Sequence, residues 1–420
     1  MTKTFRSNRL TTSDMQTFIR CCLLLAITAT LVSVFLSGVF LGLAFLAWVY
    51  QGFAKPAAPI RWPGYFPFVL AFMLAALLAM IVSEDMLESA HYVRKFVHFF
   101  AILLVFNYFD RRWVKLTTWG VFVAAAVSGC IGTYQYFVLR KVELLDRVTG
   151  FMSHWMTFGG QMMIVSIMLA AFLVSLFPPW GSLRAAWARA NRHVWLWAAL
   201  LPLLLFVLVL SMTRSAWVGA GLGLLLIGAV RTYRLALVGI LLIVVAWAVL
   251  PERLSERVKS SFDPADTTNR VRVELWRTGL NVVRSHPYMG IGPRMVPRTF
   301  RHYRVSNEFP DWAYQHLHNN AVQVAAEMGL LGLAAWFSIW LKLAWDHVRF
   351  LRKARQAEDR QLFATSIGAL ASLLAFLAAG LFEYNFGDSE ILFLLLFVVT
   401  APYICAYEKT TKTSTTSRTE

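Results

Sequence analysis

Apolar residues run along the chain in blocks about the length of a bilayer crossing, separated by short polar connections. At about 20 residues per crossing, about twelve blocks stand out. They run over 18–35, 38–53, 65–83, 93–108, 114–137, 158–177, 195–211, 216–230, 235–250, 325–345, 361–381 and 389–406. Only Ser37-Gly38 suggests a turn between the first two. One connection is different: from Pro251 to about Val324 the composition is mixed, and the stretch is too long for the charge rule that governs short loops. Within it Asn269 to His286 has helical spacing, with Val271, Leu275, Leu280 and Val283 sharing roughly one face. Asp266 offers an N-cap region, and Pro287 and Gly290 end the pattern. The chain therefore divides into nine spans over 1–250, a large loop over 251–324, three spans over 325–406 and a Lys/Thr/Ser tail over 407–420, read as disordered.

Composition removes most alternatives. Hydrophobic residues make up 58% of the 420 positions and charged ones 15%, with 32 Phe and 16 Trp, and the mean hydropathy is +0.56. A soluble domain is nearer 45–50% apolar and about 25% charged. One core cannot absorb that excess, so soluble enzymes, secreted disulfide scaffolds and disordered proteins are excluded, and the fold expected is all-α and polytopic. Cys21, Cys22, Cys130 and Cys405 all lie in apolar runs, which gives neither a disulfide framework nor a zinc motif. Lys3, Arg6 and Arg9 precede an apolar stretch that continues to about Phe53 without a small-residue cleavage site, so it reads as a retained anchor.

The net charge of +17 reads as basic cytoplasmic loops and an anionic substrate rather than nucleic acid. With both termini in the cytoplasm, the inside loops hold Lys55 and Arg61; Arg111, Arg112 and Lys115; Arg184, Arg189 and Arg192; Arg231 and Arg234; and the run Arg349 to Arg360. The short outside loops hold fewer cations: Arg94, Lys95, Arg140, Lys141, Arg147 and Arg214. An odd number of spans in the middle would spoil this bias.

The unusual polar residues then fall on the outer side. They are Arg147 to His154-Trp155, Thr213-Arg214-Ser215, the arginine-rich large loop ending in His316-Leu-His318-Asn319-Asn320, and Glu383-Tyr-Asn-Phe-Gly-Asp388. Arg214 sits between two apolar runs, where a cation costs a few kcal/mol. It either snorkels to headgroups or faces a cavity and grips an anion. Arg270 and Arg272 lie on a basic helix, where headgroup contact is an equal alternative. His316 and His318 are two apart and would diverge on a helix, so shared metal ligation is not expected. His318 leads directly into a span; His154 has a weaker claim of the same kind. Glu327, Glu383 and Asp388 are candidates to pair with loop arginines. With no D-x-D motif and arginines in excess, no metal and no other cofactor are expected.

Taken together, Thr213-Arg214-Ser215, Arg272-Val-Glu-Leu-Trp276, Pro287-Tyr-Met-Gly290-Ile-Gly292, His318-Asn319 and Glu327-Met-Gly329-Leu-Leu-Gly332 resemble the O-antigen ligase/polymerase superfamily of Gram-negative bacteria. The resemblance runs from about Gly150 to the last span. It implies a GT-C-like inner-membrane glycosyltransferase acting at the periplasmic face. The donor would be a glycan on undecaprenyl pyrophosphate and the acceptor lipid A–core. Arg214 and Arg272 would bind pyrophosphate, with Arg147 beside them, and Arg270 is an open alternative to Arg272. His318 would be catalytic, with His154, His316, Asn319, Glu327 and Glu383 in support. The segment Gly150 to Gly159 looks more like the ligases than the polymerases. A polymerase or a protein O-oligosaccharyltransferase would share the donor site. A flippase fits less well, because mid-span charges are few and two related halves are not visible.

Overall fold

The computed structural model describes residues 12–54, 59–143, 146–176, 192–234, 236–237, 239–241 and 252–416, which form helices and loops with no strand. In order these are α1 (Thr12–Ala29), α2 (Val34–Ala54), α3 (Phe66–Ile81), α4 (Met86–Ala90), which passes through a 3-10 turn (His91–Lys95) into α5 (Phe96–Tyr108), α6 (Arg111–Phe137), α7 (Trp155–Leu176), α8 (Arg192–Leu210), α9 (Arg214–Arg231), α10 (Glu252–Lys259), α11 (Thr267–Ser285), α12 (Val296–Thr299), α13 (Asn320–Gln356), α14 (Arg360–Ala379) and α15 (Ser389–Thr416). Among the described residues seven helices are long and apolar enough to cross a membrane, and Phe66–Ile81 and Val194–Leu210 are shorter apolar helices. The chain is a helical polytopic membrane protein. The expected span at 235–250 lies mostly outside the described residues.

Three expectations need adjusting. The first turn falls at Thr30 to Ser33, not at Ser37-Gly38, because Ser33 Oγ accepts the Leu36 amide at 3.3 Å. Ser37 lies inside α2 and donates its hydroxyl proton to the Ala26 carbonyl of α1 at 2.8 Å. The tail is helical as far as Thr416, continuing α15, since no breaker follows Pro402. In α11 the buried positions are Glu274, Leu275, Thr278, Gly279 and Val282, while Leu280 faces outward.

Side-chain caps start the helices where sequence chemistry allows: Asp110 for α6, Asp266 for α11, Asn319 for α13 and Asp359 for α14. At the centre α14 packs against α7, α9, α13 and α15. The close approach of α9 depends on Gly219 and Gly223, four apart. An added Cβ on them would come within 2.7 Å of the Ala375 carbonyl oxygen and 3.1 Å of that of Ala371.

Long helix α13 is broken at Gly329, whose φ of 65° and ψ of −170° are open essentially to glycine alone. The break frees backbone groups that would otherwise be orphaned among apolar side chains. Segment Pro287 to Gly292 supplies their partners. The amides of Ile291 and Gly292 donate to the carbonyls of Ala326 and Glu327 at 3.1 and 2.9 Å, and the Leu330 amide donates to the Pro287 carbonyl at 2.7 Å. A Cβ on Gly329 would lie 2.2 Å from the Tyr288 backbone, and one on Gly290 would lie 2.5 Å from the Ala326 carbonyl oxygen. These two glycine motifs of the sequence thus form one joint that seats the large loop on the bundle. Gly329→Ala should cost about 1–3 kcal/mol or more, seen as a lower thermal unfolding midpoint of the purified protein. Gly42→Ala, with open space around it, should leave the midpoint unchanged.

Candidate functional site

Met212 takes a left-handed conformation (φ 51°), and the extended Thr213 then starts α9 so that Arg214 is its first residue. The glycine contacts with α14 hold that end of α9 in the bundle, and Arg214 is only 8% exposed. Its guanidinium donates to Ser260 Oγ at 3.1 Å, Ser261 Oγ at 3.4 Å and Asn269 Oδ1 at 3.5 Å, and lies 3.6 Å from Asp266 Oδ1. Arg214 is therefore covered by the segment joining α10 to α11, not extended to headgroups.

Three further guanidiniums gather around it. Arg147, placed by the loop before α7, donates to the Met212 carbonyl at 3.4 Å and lies 4.7 Å from the centre of the Trp155 ring. Burial, then Arg214 and Arg272, pull it down to about 10. Arg257, on α10, is likewise pulled down to about 10 by burial and by Arg214 and Arg147. Arg272, on α11, is lowered by burial, with Glu383 opposing and Arg214 adding to the shift. All remain cationic at neutral pH. Four guanidiniums thus share a partly desolvated region with the carboxylates of Asp266 and Glu383. The Nε atoms of Arg257 and Arg272 and the indole Nε1 atoms of Trp155 and Trp276 are buried without a hydrogen-bond partner among the described residues. An acceptor-rich anion would relieve that cost. Arg270 is not part of this group: it is half exposed, paired with Glu308, and lies 6.0 Å from the Phe309 ring.

The histidines stand beside the arginines. His318 has a left-handed backbone (φ 48°) and directly precedes the N-cap Asn319 of α13. Its Nδ1 lies 3.2 and 3.3 Å from the two carboxylate oxygens of Glu383. Burial pushes Glu383 up, but His318, His316 and Arg272 outweigh it and hold the carboxyl at about 2. Asn319 accepts the Val322 amide at 3.0 Å and donates to the Leu381 carbonyl at 3.0 Å, which ties the start of α13 to the loop bearing Glu383. His154 sits within the electrostatic reach of Glu383, Asp388 and His318 and is lowered chiefly by burial. Glu327 is buried about two turns into α13. It accepts the Arg294 backbone amide and the Gln323 side-chain amide, both at 2.8 Å, so it anchors the large loop through the main chain rather than through a guanidinium.

His316 corrects one expectation. Residues 316–318 are not helical, so the two rings do not diverge; their centres are 4.0 Å apart. Potential ligand atoms of His316, His318 and Glu383 all lie within 4.8 Å of one another, a set able to hold a metal ion. Nothing local separates Arg257 from the other loop cations: its neighbours Arg147 and Arg214 come from the loop before α7 and the start of α9, far away in the chain. The arrangement as a whole can neutralise a polyanion with guanidiniums and present an imidazole oriented by a carboxylate next to it.

Burial and His318 depress His316 to about 4. A histidine with a lowered folded value takes up its proton less readily than in the unfolded chain. Between about 6.5 and about 4 the unfolded state binds more protons, and stability rises with pH. The thermal midpoint should therefore fall as the pH is lowered through that window, and His316→Asn should flatten the fall. An equal slope in both proteins would show that His316 is not the buried base described.

No curated protein matches the chain. The family model described as O-antigen ligase matches residues 197–337. That stretch carries Arg214, Arg257, Arg272, His316, His318 and the Gly290–Gly329 joint, and over it the protein is similar to the O-antigen ligase family.

Proposed function

We propose that the protein is a ligase in the strict sense: it moves a finished glycan from undecaprenyl pyrophosphate to lipid A–core at the periplasmic face of the inner membrane. The family match supports O-antigen ligase/polymerase-type chemistry in general. The observation that carries the transfer chemistry is the guanidinium cluster of Arg147, Arg214, Arg257 and Arg272 beside the His318–Glu383 pair; a polymerase would share it, and the choice of lipid A–core as acceptor follows the ligase-like segment Gly150 to Gly159. The arginines receive the pyrophosphate. As the glycosidic C–O bond breaks, negative charge grows on the leaving phosphate, and fixed cations in a partly dry site stabilise it without waiting for solvent to reorganise.

His318 takes the proton of the acceptor hydroxyl. Glu383 holds the imidazole through Nδ1, which keeps the proton there and leaves Nε2 as the base. Direct displacement inverts the anomeric centre. Guanidinium charge takes the place that a divalent cation has in many diphosphate sites, so the reaction is metal-independent.

In reconstituted protein with a defined glycan donor, Arg214→Ala should lower transfer to lipid A–core by roughly 10²–10³-fold. Arg214→Lys should recover little, since an ammonium lacks the fork. His318→Ala should cost roughly 10²–10⁴-fold, while Arg270→Ala should stay close to the parent rate. Failure of the parent protein to modify lipid A–core would overturn the ligase reading. EDTA should leave the rate unchanged; inhibition reversed by a divalent cation would reassign His316, His318 and Glu383 as metal ligands.

A further inference from the structure

At the end of the bundle opposite the arginine cluster, α6, α7, α14 and α15 part to leave a cavity of about 220 Å³. Its position follows from the lining. It takes in the starts of α6 and α14, the end of α7 and a part of α15 remote from Ser389, whereas Trp155, Ala379 and Ser389 mark the other end.

The walls combine two chemistries. Met168, Phe172, Phe397 and Val398 form an apolar body, and Lys115 and Arg360 stand at the mouth, with no acidic side chain in the lining among the described residues. Asp359, next to Arg360, already takes two hydrogen bonds from the Arg111 guanidinium, at 3.0 and 2.6 Å. The neutral polar side chains have also committed their protons. Thr118 donates to the Val114 carbonyl, Ser175 to that of Phe172, Thr365 to that of Gln361, and Gln361 to that of Arg111. Besides the indole N–H of Trp119, which has no partner among the described residues, the donors that reach solvent at the mouth are cationic. Lys115 and Arg360 are both exposed, with Lys115 Nζ 4.7 Å from the centre of the Trp119 ring.

An occupant must match an anionic head to two cations and an aliphatic chain to an apolar slot between membrane helices. Basic pockets of this kind suit lipid phosphates. We propose that this cavity is a binding site for an anionic phospholipid of the surrounding leaflet, separate from the candidate catalytic site and independent of the glycan chemistry assigned to it.

The test uses the full chain in vesicles containing phosphatidylglycerol with a photoreactive acyl chain, or phosphatidylcholine with the same chain. Crosslinks to Met168, Phe172, Phe397 or Val398 should be at least several-fold stronger with phosphatidylglycerol. The Lys115→Ala/Arg360→Ala variant, altered only at exposed positions, should lose that preference while keeping the parent helix content and elution volume. Equal labelling by the two lipids, labelling confined to other surfaces, or an unchanged preference in the double variant would overturn the proposal. So would displacement of the label by equimolar undecaprenyl phosphate, which would make the cavity a polyprenyl site.

Discussion

A membrane helix cannot be broken in apolar surroundings unless the backbone groups it releases find partners, and that constraint organises this protein. Gly329 breaks α13, and the turn and loop Pro287 to Gly292 supply main-chain donors and acceptors to the opened turn. The joint is made of backbone, so it tolerates almost no side chain at Gly290 or Gly329. Through it the large loop becomes a rigid continuation of the bundle. Arg294, just beyond, adds its amide to Glu327, and its guanidinium joins Arg298 in gripping Glu88 on α4. With the loop held on two sides, α11 packs on α13, and its first turn meets Arg214 at the start of α9 through Asn269, which puts Arg272 within electrostatic reach of Arg214.

Gathering like charges in a partly desolvated place has a cost, visible in the lowered values of Arg147 and Arg257. Asp266 and Glu383 offset part of it, but each also has a second duty, one as the cap of α11 and the other as the partner of His318. The buried, unpartnered Nε atoms of Arg257 and Arg272 are what the proposed diphosphate, with its many acceptor oxygens, would satisfy. The imidazole of His318, held by its carboxylate, stands beside the arginines, where an acceptor hydroxyl would have to approach.

Much of this was legible in the chain. Hydropathy located most of the spans, and Asp266 announced the start of α11. The ambiguity between Arg270 and Arg272 was resolvable from helical phase. Arg272 shares a face with Leu275, Gly279 and Val282, which are buried, whereas Arg270 falls with Val273, Arg277 and Leu280, which are exposed. Placing Leu280 on the inner face obscured that. Other features had no local signal. Arg257 acquires its meaning from Arg147 and Arg214, and the pairing of His318 with Glu383 spans 65 residues. His316 and His318 meet because the chain there is irregular, and a helical reading of their spacing placed them apart.

The position of the diphosphate decides the mechanism, and the most direct measurement is a structure of the protein with undecaprenyl pyrophosphate bound in a lipid nanodisc. Density for both phosphates should lie among Arg147, Arg214, Arg257 and Arg272, on the side facing His318. Phosphate density beside Arg270 and Glu308, or at the far end of the bundle with the cluster unchanged, would contradict it.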